Sequence, residues 1–213
     1  LGGAAPLVVV EGAAGSGKTT MLKTAADLAA AEGRRFVVVA PTLRAAQEAG
    51  EALGTPASSA HKLAHEYGFR KDSEGRWSRL RQGEIDPATW FEYRGPSEEF
   101  RVDAKTRIIV DEAGMIDQDI AHALVRIAEE NHAALAFVGD RAQLPAVGRG
   151  GVLDMAVGAH PTPLDLTELH RFADARYAEL TLQMRAREKP AELFEQLHER
   201  GNLIVHETMD EAR

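Results

Sequence analysis

Three glycines, a lysine and two threonines crowd into EGAAGSGKTT, residues 11–20, directly after the apolar run PLVVV. The spacing satisfies G-x-x-x-x-G-K-[ST]: Gly12, then Ala13, Ala14, Gly15 and Ser16, then Gly17, Lys18 and Thr19, with Thr20 behind. Such a loop wraps phosphate groups with its backbone N–H groups. Glycine lets the backbone take positive φ and come close to the oxygens. A helix that starts at the lysine turns its positive end toward the anion. Lys18 would reach the β- and γ-phosphates of a nucleotide, and Thr19 would hold Mg²⁺.

RIIVDEAGMID carries the second chemical pair. A buried parallel strand delivers side chains at its C-terminal end, beside the phosphate loop. Asp111 stands where a phosphate-loop enzyme needs a carboxylate for Mg²⁺. Glu112 is suited to orient and deprotonate an attacking water. The plainer alternative is two loop acids capping the next helix, but Asp117 is the better cap. FVGDRAQLPAVGRGG adds Gln143, three residues past Asp140. A glutamine can bond a γ-phosphate oxygen through its NH₂ and a water through its carbonyl, or it can simply sit in a surface loop. Arg149, among glycines, either meets a nucleic-acid backbone or decorates a turn.

These residues need strands and helices to hold them. LVVV, RFVVVAPT, RIIVDE and AALAFVGD are short continuous apolar runs, and PLDLTEL is a candidate fifth. Such runs suit parallel strands covered by helices on both faces. Helical patterns stand between them: Lys18 to Ala31, ended by Gly33, then LRAAQEAGEAL, then IDQDIAHALVRIAEEN. The fold class is therefore α/β, with a parallel sheet and helices on both faces. After Asp174 the pattern turns helical, as ARYAELTLQMRA and PAELFEQLHERG, and NLIVHE reads as one last strand. Residues 66–104 break the alternation with four glycines and two prolines and read as a long irregular insertion.

Composition sets outer limits. At 213 residues, 44% hydrophobic and 27% charged, the chain has enough material for one good-sized domain. It has no cysteine, which excludes disulfides and thiolate zinc sites and fits a cytosolic protein. No apolar stretch approaches a membrane span, so no membrane partner is expected. The N-terminus lacks both a signal-peptide flank and an initiator Met, and the expectation is a segment of a longer protein. The net charge of −8 speaks against a nucleic-acid partner unless a local basic track exists. Segment 61–81 offers one: Lys62, Arg70, Lys71, Arg76, Arg79 and Arg81 interleave with Tyr67, Phe69 and Trp77. That mixture suits single-stranded DNA, or a solvated loop whose aromatics tuck into the core. His61 and His65 can share a helix face, but a metal site needs more ligands.

Taken in order, GAAGSGKTT, VVAPTLRAA, SSAHKL, VDEAGM, GDRAQLPAVGRGG and LTELHRF resemble motifs I, Ia, Ib, II, III and IV of a superfamily 1B DNA helicase. More narrowly, the chain is similar to the helicase part of conjugative relaxases of the TraI/TrwC/TraA type, kin to RecD. The match spans about residues 5–206. The resemblance implies a RecA-like P-loop NTPase fold and ATP-driven 5′→3′ movement on single-stranded DNA. It makes Gln143 the sensor of the γ-phosphate and Arg171, in LHRF, the cation that neutralises the transferring phosphoryl group. It puts Thr42, Arg44, Ser59 and His61 on the DNA. Motifs V and VI, which belong to a second RecA-like domain, are missing, as is the glutamine-bearing segment that grips adenine. The expected division is a RecA-like domain over 1–172 and a helical connection over 173–213 towards a second RecA-like domain. A relaxase domain would lie earlier in the parent chain. The competing reading is a non-hydrolysing helicase-like module that loads DNA; a small-molecule kinase is weaker, since no substrate lid is visible.

Overall fold

The computed structural model describes residues 5–206 except 144, 145, 147, 167–173 and 187. The four apolar runs form the strands β1 (Leu7–Gly12), β2 (Arg35–Ala40), β6 (Thr106–Val110) and β7 (Ala134–Gly139). Two short strands, β3 (Ala57–Ser59) and β8 (Leu164–Leu166), flank them. All six pair in parallel, in the order β3-β2-β6-β7-β1-β8. PLDLTEL thus supplies the edge strand β8.

Alternate residues of each central strand face opposite layers. Val9, Val37, Ile108 and Leu135 face one, against α3 (Ala60–Glu66), α4 (Gln118–Glu130) and α5 (Val152–Ala159). Val8, Val38, Ile109 and Ala136 face the other, against α1 (Lys18–Ala31) and α2 (Leu43–Leu53). Each of the valines, leucines and isoleucines contributes about 1.5–3 kcal/mol on full burial, so runs apolar on both faces belong in the middle of the sheet. The α/β expectation, with helices on both faces, holds. The helices α6 (Ala175–Ala186) and α7 (Pro190–Glu199) pack Leu180, Leu193 and Leu197 into a small cluster of their own.

Caps set the helix starts. Asp117 accepts from Ile120 N at 2.8 Å and opens α4, as its position predicted. Thr42 caps α2 and Ser59 caps α3 in the same manner, each at 3.1 Å. Two expectations fail. NLIVHE forms no strand over its described residues 202–206, and Ile204 there is 77% exposed. The insertion is not irregular throughout, for it holds an antiparallel pair, β4 (Phe69–Lys71) and β5 (Trp77–Arg79).

Two cations of that insertion reach acids well separated from them in sequence. Arg70 pairs with Asp86 at 2.8 Å and Arg79 with Glu130 at 2.7 Å. Arg76 pairs with Asp72 and Glu74, while Lys62 pairs with Glu66. Tyr67 is buried, and Phe69 and Trp77 lean on the core. Arg79, through Glu130, and the aromatics Tyr67, Phe69 and Trp77 thus tie this segment to the body of the domain.

Candidate nucleotide site

The phosphate loop leaves β1 at the C-terminal edge of the sheet. Gly15 and Gly17 take φ of 84° and 86°, a region that side chains strain to enter. Ser16 N donates to Ala13 O at 3.2 Å and closes the turn. Helix α1 then starts at Lys18 with no side-chain cap and no acid in its first turn. Its first N–H groups are left to whatever the loop holds. Lys18 Nζ donates to Gly12 O at 2.6 Å and to Ala13 O at 3.0 Å, so its charge sits at the lip of the loop.

Asp111 and Glu112 follow β6, with β7 lying between them and β1. Asp111 N donates to Val39 O at 2.8 Å, and Asp111 Oδ1 accepts from Glu112 N at 3.0 Å. Glu112 holds φ of 51°, a left-handed backbone rare for a residue with a side chain. Burial pushes the Asp111 carboxyl above its ordinary pKa, against pulls from Glu112 N–H and the Lys18 charge. Glu112 is raised too, first by burial and then by the Asp111 charge. A raised acid pair is short of positive charge.

Gly114 and Gly139 hold the two turns together, and sequence reasoning passed over both. A Cβ on Gly114 would lie 2.9 Å from Asp140 O, and one on Gly139 would lie 3.0 Å from Ala113 N. The turns after β6 and β7 meet backbone to backbone, which brings Gln143 in beside Glu112. Gln143 N donates to Asp140 O at 3.3 Å.

The result is a cavity of about 550 Å³. Ala14, Gly15 and Gly17 to Thr20 form one wall, Asp111, Glu112 and Gln143 a second, and Ala45, Glu48 and Ala49 of α2 a third. Ser16 Oγ is buried in the loop without a hydrogen-bond partner. An uncapped helix start and a lysine suit a polyphosphate. The hard oxygens of Thr19 and Asp111 suit Mg²⁺, which takes few protein ligands and fills its shell with water and phosphate oxygens. Among the described residues no group of three or more acids, histidines or cysteines could hold a metal by itself, so His61 and His65 remain a pair.

The remaining predicted residues stand elsewhere. Arg171 lies outside the described residues. Arg149 is mostly exposed and pairs with Asp119 of α4. Ala40 at the end of β2 and Ser59 at the end of β3 are register partners, so Thr42 and Ser59 are brought to one edge of the sheet. Arg44 and His61, just inside the two helices, are exposed there, and Arg44 pairs with Glu48. None of these four lines the cavity. Sequence reasoning also missed Glu11, Arg141 and Arg185, which meet behind the loop. The available signal was a lone acid near the end of an otherwise apolar strand.

The sequence profile of the AAA domain family matches residues 1–208. The chain belongs to that AAA domain family. Within it, the likeness is to superfamily 1B helicase domains of the RecD and relaxase type. This AAA domain is 33% identical over 167 residues to the ATP-dependent RecD2 DNA helicase of Deinococcus radiodurans, covering 78% of the chain and 20% of that protein. It is 33% identical over 148 residues to the probable conjugal transfer protein TraA of Sinorhizobium fredii, covering 70% of the chain and 11% of that protein. The AAA domain thus spans a fifth or less of the curated relatives it matches. Its fold is that of a Bacteroides Pif1 helicase solved in complex with ADP-AlF3 and ssDNA. The two share a TM-score of 0.60 at 19% identity, over 98% of the chain and 49% of that structure. A second Pif1 structure, of DNA unwinding at forked dsDNA, gives a TM-score of 0.61 at 22% identity over 92% and 48%. No described helix of the AAA domain is long and apolar enough to cross a membrane.

Proposed function

We propose that this chain is the ATP-binding and hydrolysing motor domain of a DNA helicase, working on single-stranded DNA as the helicase part of a conjugative relaxase in plasmid transfer. One observation carries the reading. Lys18, Thr19, Asp111, Glu112 and Gln143, drawn from three chain segments, line a single cavity at the C-terminal edge of a parallel sheet. That edge is where such sheets bind ligands.

The loop from Gly12 to Thr20 holds the phosphates, and Lys18 neutralises charge between the β- and γ-groups. Thr19 and Asp111 hold Mg²⁺, which when bound supplies further charge neutralisation at the phosphate oxygens. Glu112 takes the proton of the attacking water; its raised pKa brings it closer to neutral pH, where a base works best. Gln143 orients that water and reads the γ-phosphate. Arg171 acts on the transferring phosphoryl group. Thr42, Arg44, Ser59, His61 and Arg149 supply DNA contacts; support comes from the shared edge at which α2 and α3 begin.

The AAA domain covers only part of its relatives, so the rest of the motor is assigned to a second RecA-like domain, with a relaxase domain elsewhere in a cytoplasmic polypeptide. By itself the chain would bind nucleotide without separating strands. The test is ATPase activity of the complete polypeptide with and without single-stranded DNA. Stimulation by DNA supports the motor; nucleotide binding without turnover, with or without DNA, would favour the loading module instead.

A further inference from the structure

Glu11, next to last in β1, and Asp140, the residue after β7, stand side by side at the ends of neighbouring strands and are 7% and 4% exposed. Two carboxylates buried so near each other need cations. Arg185, on α6, serves both: Nε donates to Asp140 Oδ1 at 3.0 Å and Nη2 to Glu11 Oε1 at 3.0 Å. Arg141 adds a second cation to Glu11 at 2.7 Å. Each carboxylate roots one arm of the cavity. Glu11 is followed directly by Gly12 and the phosphate loop. Asp140 accepts Ala142 N through its side chain at 2.9 Å and Gln143 N through its carbonyl at 3.3 Å. One guanidinium, carried by a helical pair with its own apolar cluster, thus touches the bases of both arms.

We infer that Arg185 is a positioning residue for ATP hydrolysis, holding the Gln143 segment against the phosphate loop and making that alignment depend on where α6 sits. This rests on the motor reading above. Arginine suits the task because its planar fork reaches two acceptors at once; a lysine offers one compact charge.

The test uses Arg185→Ala and Arg185→Lys in the complete polypeptide, with Met184→Ala on the same helix as control. Arg185→Ala should lower kcat by about tenfold or more while KM for ATP stays within about threefold. Arg185→Lys should fall between Arg185→Ala and wild type. Combined with Gln143→Ala, Arg185→Ala should slow the enzyme no further than Gln143→Ala alone, because residues acting as a unit are not additive. Amide hydrogen exchange at 140–143 should quicken in Arg185→Ala. Fully additive slowing, or a lowered Tm with unchanged kcat, would overturn the inference. If the wild type fails to hydrolyse ATP, the motor reading alone falls. The exchange measurement needs no turnover: unchanged protection at 140–143 would then overturn the role of Arg185.

Discussion

Lys18 Nζ lies 2.6 Å from the carbonyl oxygen of Gly12, so the cation of the phosphate loop is held by the loop's own backbone. The ammonium is placed before any phosphate arrives, and little ordering remains to be done on binding. A hydrogen bond to a charged partner is worth about 1.5–3 kcal/mol, or roughly 10–100-fold in affinity. Lys18→Ala should weaken nucleotide binding by that factor and abolish detectable hydrolysis. A fluorescent-nucleotide titration beside a phosphate-release assay checks both. Wild-type affinity in the variant would remove Lys18 from the phosphate site.

Glu112→Gln keeps the side-chain shape and removes the base. The amide accepts a hydrogen bond but takes no proton, so hydrolysis should fall by about 10²–10⁴-fold. Nucleotide affinity should stay at the wild-type level. Lost affinity with intact folding would make Glu112 a structural acid whose unusual backbone serves the turn.

Asp111 and Glu112 also give the stability of the ligand-free chain a pH dependence. Both folded pKa values lie above the ordinary 3.8 and 4.5, chiefly through burial. In the window above those ordinary values the folded state binds more protons than the unfolded one. Their contribution is therefore fully present below about pH 4 and is lost as pH rises through the raised values. Asp111→Asn should raise Tm at neutral pH and flatten the decline from acid to neutral pH. Thermal unfolding at a series of pH values checks this, and an unchanged profile would show that the pair is adequately solvated.

Gly114→Ala tests the contact between the two turns. The new Cβ would fall 2.9 Å from Asp140 O, a backbone atom that cannot swing aside. Overpacking of this kind costs about 1–3 kcal/mol. Denaturant unfolding should show that loss, and hydrolysis should fall with it as Glu112 is pushed from Gln143. A variant as stable and as active as wild type would mean the turns have slack.

The phosphate loop, the acid pair and the central strands are legible in the sequence because each is a local demand. Positive φ at Gly15 and Gly17 restricts the residue types whatever lies nearby. A strand covered on both faces must be apolar along its length, so LVVV and RIIV declare themselves. NLIVHE is apolar too, yet a strand needs an edge to pair with, and no local pattern reports one. Conversely β3, only Ala57–Ser59, is a strand because β2 lies beside it.

The order of the strands was a tertiary decision, and with it the meeting of Lys18, Asp111 and Gln143 around one cavity. The same holds for charge. Arg70 and Arg79 look like a free basic track until the fold brings Asp86, later in the insertion, and Glu130 of α4 against them. Glu11 looks like a misplaced acid until Arg185, 174 positions away, reaches it. Backbone chemistry acts between neighbours in the chain and can be read there, whereas burial and Coulomb pairing depend on distances in space that only the folded chain sets.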